Sequence, residues 1–340
     1  MKAKILVAGG AGFLGSHVCK YYLDNDYHVV CVDNLSTGRR KNIADLEAHE
    51  RFEFIQHDIC QELPLEITNK KYRIVTNLAS PASPPKYYEL AVETLMVGAV
   101  GTKNLLELAR HNKARFFHAS TSEVYGDPQV TPQTESYRGH VNTYGPRAMY
   151  DEAKRFSEAM VYVYRHKYGV NSTISRFFNT YGPHMDPQDG RVVSNLITQA
   201  LKGEPLTVYG DGTQTRSFCY VDDLVAGIVA QTDSSEEGPM NLGNPHEFTV
   251  LELAQKVLKL IDTPSEIVYQ PLPQDDPLQR RPDISYAEQA LGWKPQISLD
   301  QGLLPTIDYF RSELGLLPDN MVDENTAALA QPLADGLEFA

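Results

Sequence analysis

The sequence predicts an α/β protein: a doubly wound parallel sheet with a smaller, partly interleaved C-terminal α/β domain. Three observations carry this. Short β-rich runs alternate with stretches of crossover length over roughly the first 120 residues, a glycine-rich turn joins the first run to the first helix, and beyond Gly182-Pro183 the texture changes to Gly- and Pro-rich loops. The β-rich runs are Lys4 to Ala8, His28 to Val32, Phe52 to Gln56, Ile74 to Leu78 and Arg115 to Ala119. One helix starts near Gly12. A second covers Val92 to His111, where Leu95, Ala99, Thr102, Leu105, Leu106 and Ala109 recur at helical spacing. A third runs from about Pro146 to Tyr168 and ends at Gly169, the residue type that follows a helix end. Later helical pieces are expected at Arg191 to Lys202, Asp222 to Ala230 with Asp222 as N-cap, Val250 to Leu260 and Ser285 to Leu291.

Composition excludes several classes. The 340 residues are 42% hydrophobic and 22% charged, which fits a globular chain with a sizeable core and neither a mainly disordered nor a membrane protein. Lys plus Arg number 31 against 44 Asp plus Glu, a net charge of −13, and no basic run interrupts a field that repels nucleic acid. Cys19, Cys31, Cys60 and Cys219 are scattered, with no metal-ligand spacing and no disulfide framework, so a reducing compartment is expected. Met1-Lys2-Ala3-Lys4 leads straight into the first strand without a signal-peptide core, and no apolar run reaches membrane-spanning length. A cytoplasmic location and no membrane partner follow as expectations. Residues 316–340 contain five acids and no Lys or Arg, and they read as a disordered acidic tail.

Gly9-Gly10-Ala11-Gly12-Phe13-Leu14-Gly15 follows the first strand and opens a helix, the arrangement of a Rossmann-type dinucleotide site. Glycine permits the tight turn and close approach of a pyrophosphate, and the helix N-terminus supplies N–H donors. The second strand ends in Asp33 with Asn34 after it, where a ribose-binding acid belongs; its carboxylate favours NAD, while Arg39 and Arg40 keep NADP open as an alternative. Asp58 and Ile59, after the third strand, are candidates for the adenine end. Tyr150 and Lys154 stand at i and i+4, and a cation near a phenol pulls its pKa down from roughly 10 toward use as a base.

In this order along the chain, the glycine turn and Tyr150-x-x-x-Lys154 resemble the short-chain dehydrogenase/reductase superfamily, with Thr121 as the third catalytic element hydrogen-bonding the reacting hydroxyl. The resemblance narrows to the UDP-glucuronic acid decarboxylase (UDP-xylose synthase) family. It rests on the blocks from Asn77 through Ala79 to Pro85, Thr121 to Pro128, Arg176 to Pro183, Asp189 to Asn195, Leu206 to Arg216 and Gln274 to Asp283, and it spans about Lys2 to Leu314. Gly98 departs from it, since an Asn is expected there.

The resemblance implies NAD-dependent conversion of UDP-glucuronate to UDP-xylose and CO2. Tyr150, beside Lys154, takes the proton of the sugar 4-hydroxyl, and oxidation at C4 makes a ketone β to the carboxylate, an electron sink for its loss. The NADH is recycled internally and no metal is needed. Glu123, next to Ser122, is implied beside the glucuronate carboxylate, and Arg280 is implied in decarboxylation or protonation at C5; a solvated acid and a phosphate-binding cation are their plain alternatives. Asn179, Arg191, Asn195, Tyr209, Gln214, Arg216 and Arg280 are candidates for holding UDP. By the same resemblance, residues 1–182 form the NAD domain with segments near 214–242 returning to it, residues 183–315 bind the nucleotide sugar, and the helices near 92–111 and 147–168 pair with a second copy in a four-helix bundle. A 4-epimerase or 4,6-dehydratase would share the first oxidation. The Thr-Ser-Glu triplet at 121–123 argues against both, and the intact Tyr150 and Lys154 argue against a non-catalytic cofactor-binding scaffold or redox sensor.

Overall fold

A computed structural model describes residues 3–271 and 279–316. The acidic tail beyond residue 316 and the Gln274–Leu278 part of the last block lie outside the described residues. Seven parallel strands form the main sheet: β1 (Lys4–Ala8), β2 (His28–Asp33), β3 (Phe52–Gln56), β4 (Tyr72–Asn77), β5 (Arg115–Thr121), β6 (Ser172–Phe177) and β7 (Met240–Leu242). Their order is β7-β6-β5-β4-β1-β2-β3. The chain therefore leaves β1 in one direction through β2 and β3 and in the other through β4, which opens a crevice at the carboxyl ends of the strands.

Strand side chains alternate between two cores. Ile5, Val7, Val29 and Cys31 face one side, where α1 (Phe13–Asp24) and α6 (Val221–Asp233) pack, and Leu6, Ala8, Val30 and Val32 face the other. Both faces of a parallel sheet are covered in this way, which is why β1 and β2 read as nearly continuous apolar runs. On the second face lie α2 (Ala91–Met96), α3 (Thr102–Asn112) and α4 (Ala148–Tyr168). The one helix expected from Val92 to His111 is thus α2 and α3 joined by a π turn over Val97–Gly101. The cause is local. A Cβ on Gly98 would lie 2.8 Å from the Ala153 carbonyl oxygen of α4, and Ser157 Oγ donates to Gly98 O at 2.9 Å, so the two helices touch backbone to backbone.

Beyond residue 183, α5 (Val192–Leu201), α7 (Val250–Ile261), α8 (Ser285–Leu291) and α9 (Leu299–Glu313) accompany three small sheets. Reciprocal capping boxes start α7, through Thr249 and Glu252, and α9, through Ser298 and Gln301. One small sheet sets Arg280 beside Arg216 in parallel register. The segment containing α6 and β7 returns to the main sheet, with β7 on β6. Asp222 is not the cap of α6: Tyr220 holds that position without a side-chain bond, and Asp222 sits in the first turn, where a negative charge still meets the positive end of the helix. Asp223 instead accepts the backbone N–H groups of Gln296 and Ile297 at 3.0 and 2.8 Å, and its carbonyl accepts from Nε1 of Trp293, the chain's one tryptophan, at 2.9 Å.

Candidate active site

Two adjoining cavities open at the carboxyl ends of the strands and share Leu78 and Ser80 on their walls. The smaller, about 350 Å³, is lined by Gly9, Gly12, Asp33, Asn34, Asp58, Ile59 and Ala79. Asp33, buried at the end of β2, accepts from Ala11 N at 3.0 Å and Leu35 N at 2.8 Å. Gly9 has a left-handed φ of +77°, and a Cβ there would lie 2.7 Å from Ala79 N, so only glycine fits. Gly15 lines neither cavity. A Cβ at Gly15 would fall 2.0 Å from Gly9 O, so its part is to let α1 begin against the turn. Phe13 and Leu14, at the start of α1, face the larger cavity. The glycine cradle, the helix start and the ribose-height acid fit a dinucleotide lying across both cavities.

The larger cavity, about 480 Å³, collects Thr121, Ser122, Glu123, Tyr150, Lys154, Asn179, Arg191, Asn195, Tyr209, Gln214, Arg216 and Arg280. Thr121 ends β5 and caps the helical turn Ser122–Tyr125, its Oγ1 accepting from Glu123 N at 3.3 Å. Tyr150 and Lys154 come one turn apart on α4. Tyr150 shares a side-chain hydrogen bond with Thr121, and Lys154 Nζ lies 5.8 Å from the Tyr150 ring centre while donating to Ala119 O at 3.0 Å.

The expected lowering of the Tyr150 pKa is not what this arrangement produces. Burial and the charge of Glu123 push the phenol up to about 12, against the opposing pull of Thr121 and Arg191. Burial likewise pushes Lys154 down to about 8, with Glu158 opposing. Both groups are driven toward their neutral forms because both are desolvated.

Glu123 is no solvated acid. Arg147 Nη2 donates to its Oε2 at 2.5 Å and Arg280 Nη1 to its Oε1. Burial alone would raise its pKa, but the charges of Arg280 and Arg147 and their hydrogen bonds hold it down at about 2. Arg280 also donates to Gly126 O at 3.3 Å. Arg191 makes a two-point contact with Asp189, at 2.5 and 2.9 Å. Asn195 Nδ2 donates to Gly190 O, Gln214 Nε2 to Tyr209 O, and Arg216 Nη1 to Thr215 O.

Two residues of this cavity escape the sequence reading. Arg147 lies one turn before Tyr150, and that i, i+3 spacing is the signal that could have found it. Tyr87, on the short helix Pro84–Glu89, stacks on Tyr150 with ring centres 5.0 Å apart and planes 13° from parallel, and the Arg147 guanidinium lies over the Tyr87 ring, 5.9 Å from its centre.

Known proteins share this architecture. UDP-glucuronic acid 4-epimerase from Bacillus cereus, solved with UDP-glucuronic acid and NAD, superposes with a TM-score of 0.83 at 32% identity, over 91% of this chain and 99% of that one. UDP-glucose 4-epimerase from Thermotoga maritima, solved with UDP-glucose, gives 0.84 at 30% identity, over 92% and 99%. UDP-glucuronic acid decarboxylase 1 of Danio rerio is 50% identical over 92% of this chain and 74% of its own length, and UDP-glucuronic acid decarboxylase 6 of Arabidopsis thaliana is 48% identical over 92% and 90%. The sequence profile described as the NAD dependent epimerase/dehydratase family matches residues 5–243. With the dinucleotide cradle and the Thr121, Tyr150 and Lys154 cluster in one crevice, the chain belongs to the NAD dependent epimerase/dehydratase family and, within it, to the UDP-glucuronic acid decarboxylases.

Proposed function

We propose that this protein is an NAD-dependent carboxy-lyase that converts UDP-glucuronate to UDP-xylose and CO2 through a 4-keto sugar. The observation that carries it is Glu123, a carboxylate fixed between Arg147 and Arg280 beside Tyr150 and Thr121. NAD supplies a reversible hydride acceptor at C4 and is regenerated in the same turnover. Thr121 orients the sugar 4-hydroxyl, and Tyr150 accepts its proton, helped by the ammonium of Lys154. The ketone so formed is β to the carboxylate, and electrons released with CO2 delocalise into it. Glu123 holds Arg147 and Arg280 in place beside the substrate carboxylate, so that the three charges sum to a net positive field that binds the carboxylate in a desolvated site until CO2 departs. Arg280 does not release a proton near neutrality, so its guanidinium orients a water as the donor to C5. Tyr150 then returns its proton as C4 is reduced.

Arg191, Arg216, Asn179 and Asn195 are assigned to the diphosphate, and Tyr209 and Gln214 to the uridine end. In this assignment residues 1–182, with 214–242, bind NAD, and 183–315 bind the nucleotide sugar. The apolar side chains Val92, Leu95 and Met96 on α2 and Phe156, Tyr162 and Val163 on α4 stand exposed together. A second copy of the chain covers them in a four-helix bundle, the homodimer we assign. No described helix is long and apolar enough to cross a membrane, and all four cysteines are free, which supports assignment to the cytoplasm.

The test is incubation with UDP-glucuronate, with and without added NAD, followed by mass spectrometry. The expected product has lost the mass of one CO2, with no stoichiometric NADH. Loss of two further hydrogens with matching NADH would mean that the reductive step is absent. Unchanged mass with inversion at C4 by NMR would establish a 4-epimerase, and loss of water a dehydratase.

A further inference from the structure

Three consecutive cations, two of which kept NADP open in the sequence, follow the rim of the smaller cavity. Ser36, Thr37 and Gly38 line the cavity, and Arg39, Arg40 and Lys41 follow directly. The backbone there is tied to the ribose end, because Arg39 N donates to Ala11 O at 2.9 Å while Ala11 N donates to the Asp33 carboxylate. Gly38 lies so close that a Cβ on it would meet the Asp33 carboxylate oxygens at 2.7 Å. Cations at this point are the residues that accommodate a 2′-phosphate in NADP sites. Here every one of them is engaged by an acid. Arg40 binds Glu47 through Nε and Nη2 at 2.8 and 2.9 Å. Arg39, which lines neither cavity, binds Asp186 at 3.2 Å, the Tyr309 hydroxyl at 3.0 Å and Glu313 on α9, and Lys41 meets the same Glu313 oxygen. The Glu313 side chain is only 14% exposed, so its pull is less screened than that of a surface acid.

We propose that Glu313, with Asp186, is a second determinant of NAD over NADP, acting by holding Arg39 and Lys41 away from the ribose 2′ position. It rests on the reading of this cavity as the NAD site. Asp33 repels the 2′-phosphate directly, whereas Glu313 acts through other side chains, so it is a positioning residue. The selectivity thereby depends on a helix more than 250 residues further along the chain than the glycine turn.

The experiment is calorimetric titration of the cofactor-stripped full chain with NAD and with NADP, for the unaltered protein, Glu313→Gln, Arg39→Met and the two combined. Glu313→Gln is expected to strengthen NADP binding about tenfold, the worth of one well-placed ionic contact, with NAD binding changed by less than about threefold. Arg39→Met alone is expected to leave the NADP to NAD ratio unchanged and, in combination, to remove the share of the gain that Arg39 supplies, leaving only that of Lys41. An unaltered ratio in Glu313→Gln, or a weaker NADP affinity in Arg39→Met alone, overturns the proposal. If Glu313→Gln does not fold, Asp186→Asn, which frees the other acid contact of Arg39, is titrated in its place: a raised NADP to NAD ratio supports the proposal and an unaltered one overturns it. Failure of the unaltered chain to bind NAD would overturn the reading of the cavity itself.

Discussion

Tyr150 and Lys154 are both buried, and burial moves each away from its ordinary pKa. Tyr150→Phe removes the group proposed to move the 4-hydroxyl proton and is expected to cut kcat about 10²–10⁴-fold while UDP-glucuronate still binds by calorimetry. Lys154, lowered from 10.5 to about 8, is a stability liability. Between those two values the unfolded chain binds a proton that the folded chain does not, so stability rises with pH there and the penalty is complete below about 8. Lys154→Met should therefore stabilise the fold by roughly 1–3 kcal/mol at neutral pH and by progressively less toward pH ~10. Denaturant titration at the two pH values checks this. Glu123→Gln leaves Arg147 and Arg280 facing a neutral amide, and a loss of about 3–5 kcal/mol together with most CO2 release is expected. At this scale the sequence was half legible. Spacing and block resemblance picked out Thr121, Glu123, Tyr150, Lys154 and Arg280, which the fold brings to one cavity, but the upward shift of Tyr150 depends on burial and on Glu123, which lies far from it along the chain. Arg147 was passed over because its i, i+3 spacing from Tyr150 gains its meaning only when Glu123 is seen beside it.

The elements followed the sequence more closely. The strand runs at Lys4–Ala8 and Phe52–Gln56 hold to the residue, and His28 extends by one to Asp33, because β-branched runs bounded by turns leave few alternatives. The interrupted helix over residues 91–112 was not legible. Periodicity continues through Val97–Gly101, and only contact with α4 explains the π turn. Gly98 accordingly belongs to the active site at one remove, since Ala153, which it touches, adjoins Lys154. Gly98→Ala is expected to push α4 outward, costing about 1–3 kcal/mol and lowering kcat more than it alters KM. Thermal melts and steady-state kinetics read the two effects. The Asn expected at this position from the resemblance would meet the same carbonyl.

At the scale of the molecule, the proposed dimer face and the smaller cavity share a wall. Val92 and Met96 are exposed on α2 and also line the smaller cavity. Substituting Leu95→Asp and Tyr162→Asp together is expected to yield a monomer by light scattering that binds NAD more weakly than the dimer does. Unchanged mass would remove α2 and α4 from the interface. That apolar side chains cluster on α2 and α4 could be read from the sequence; which of them turn away from the sheet could not.

Trp293 has a further consequence. It is 7% exposed in the apolar core that joins α6 and α8, a Cβ on Gly227 would come within 2.9 Å of its ring, and it lines neither cavity. The protein thus carries one optical probe, placed where the returning segment meets the C-terminal helices. Its emission should be that of an indole shielded from water, and a red shift during denaturation should report the parting of that seam, independently of whether the crevice is filled.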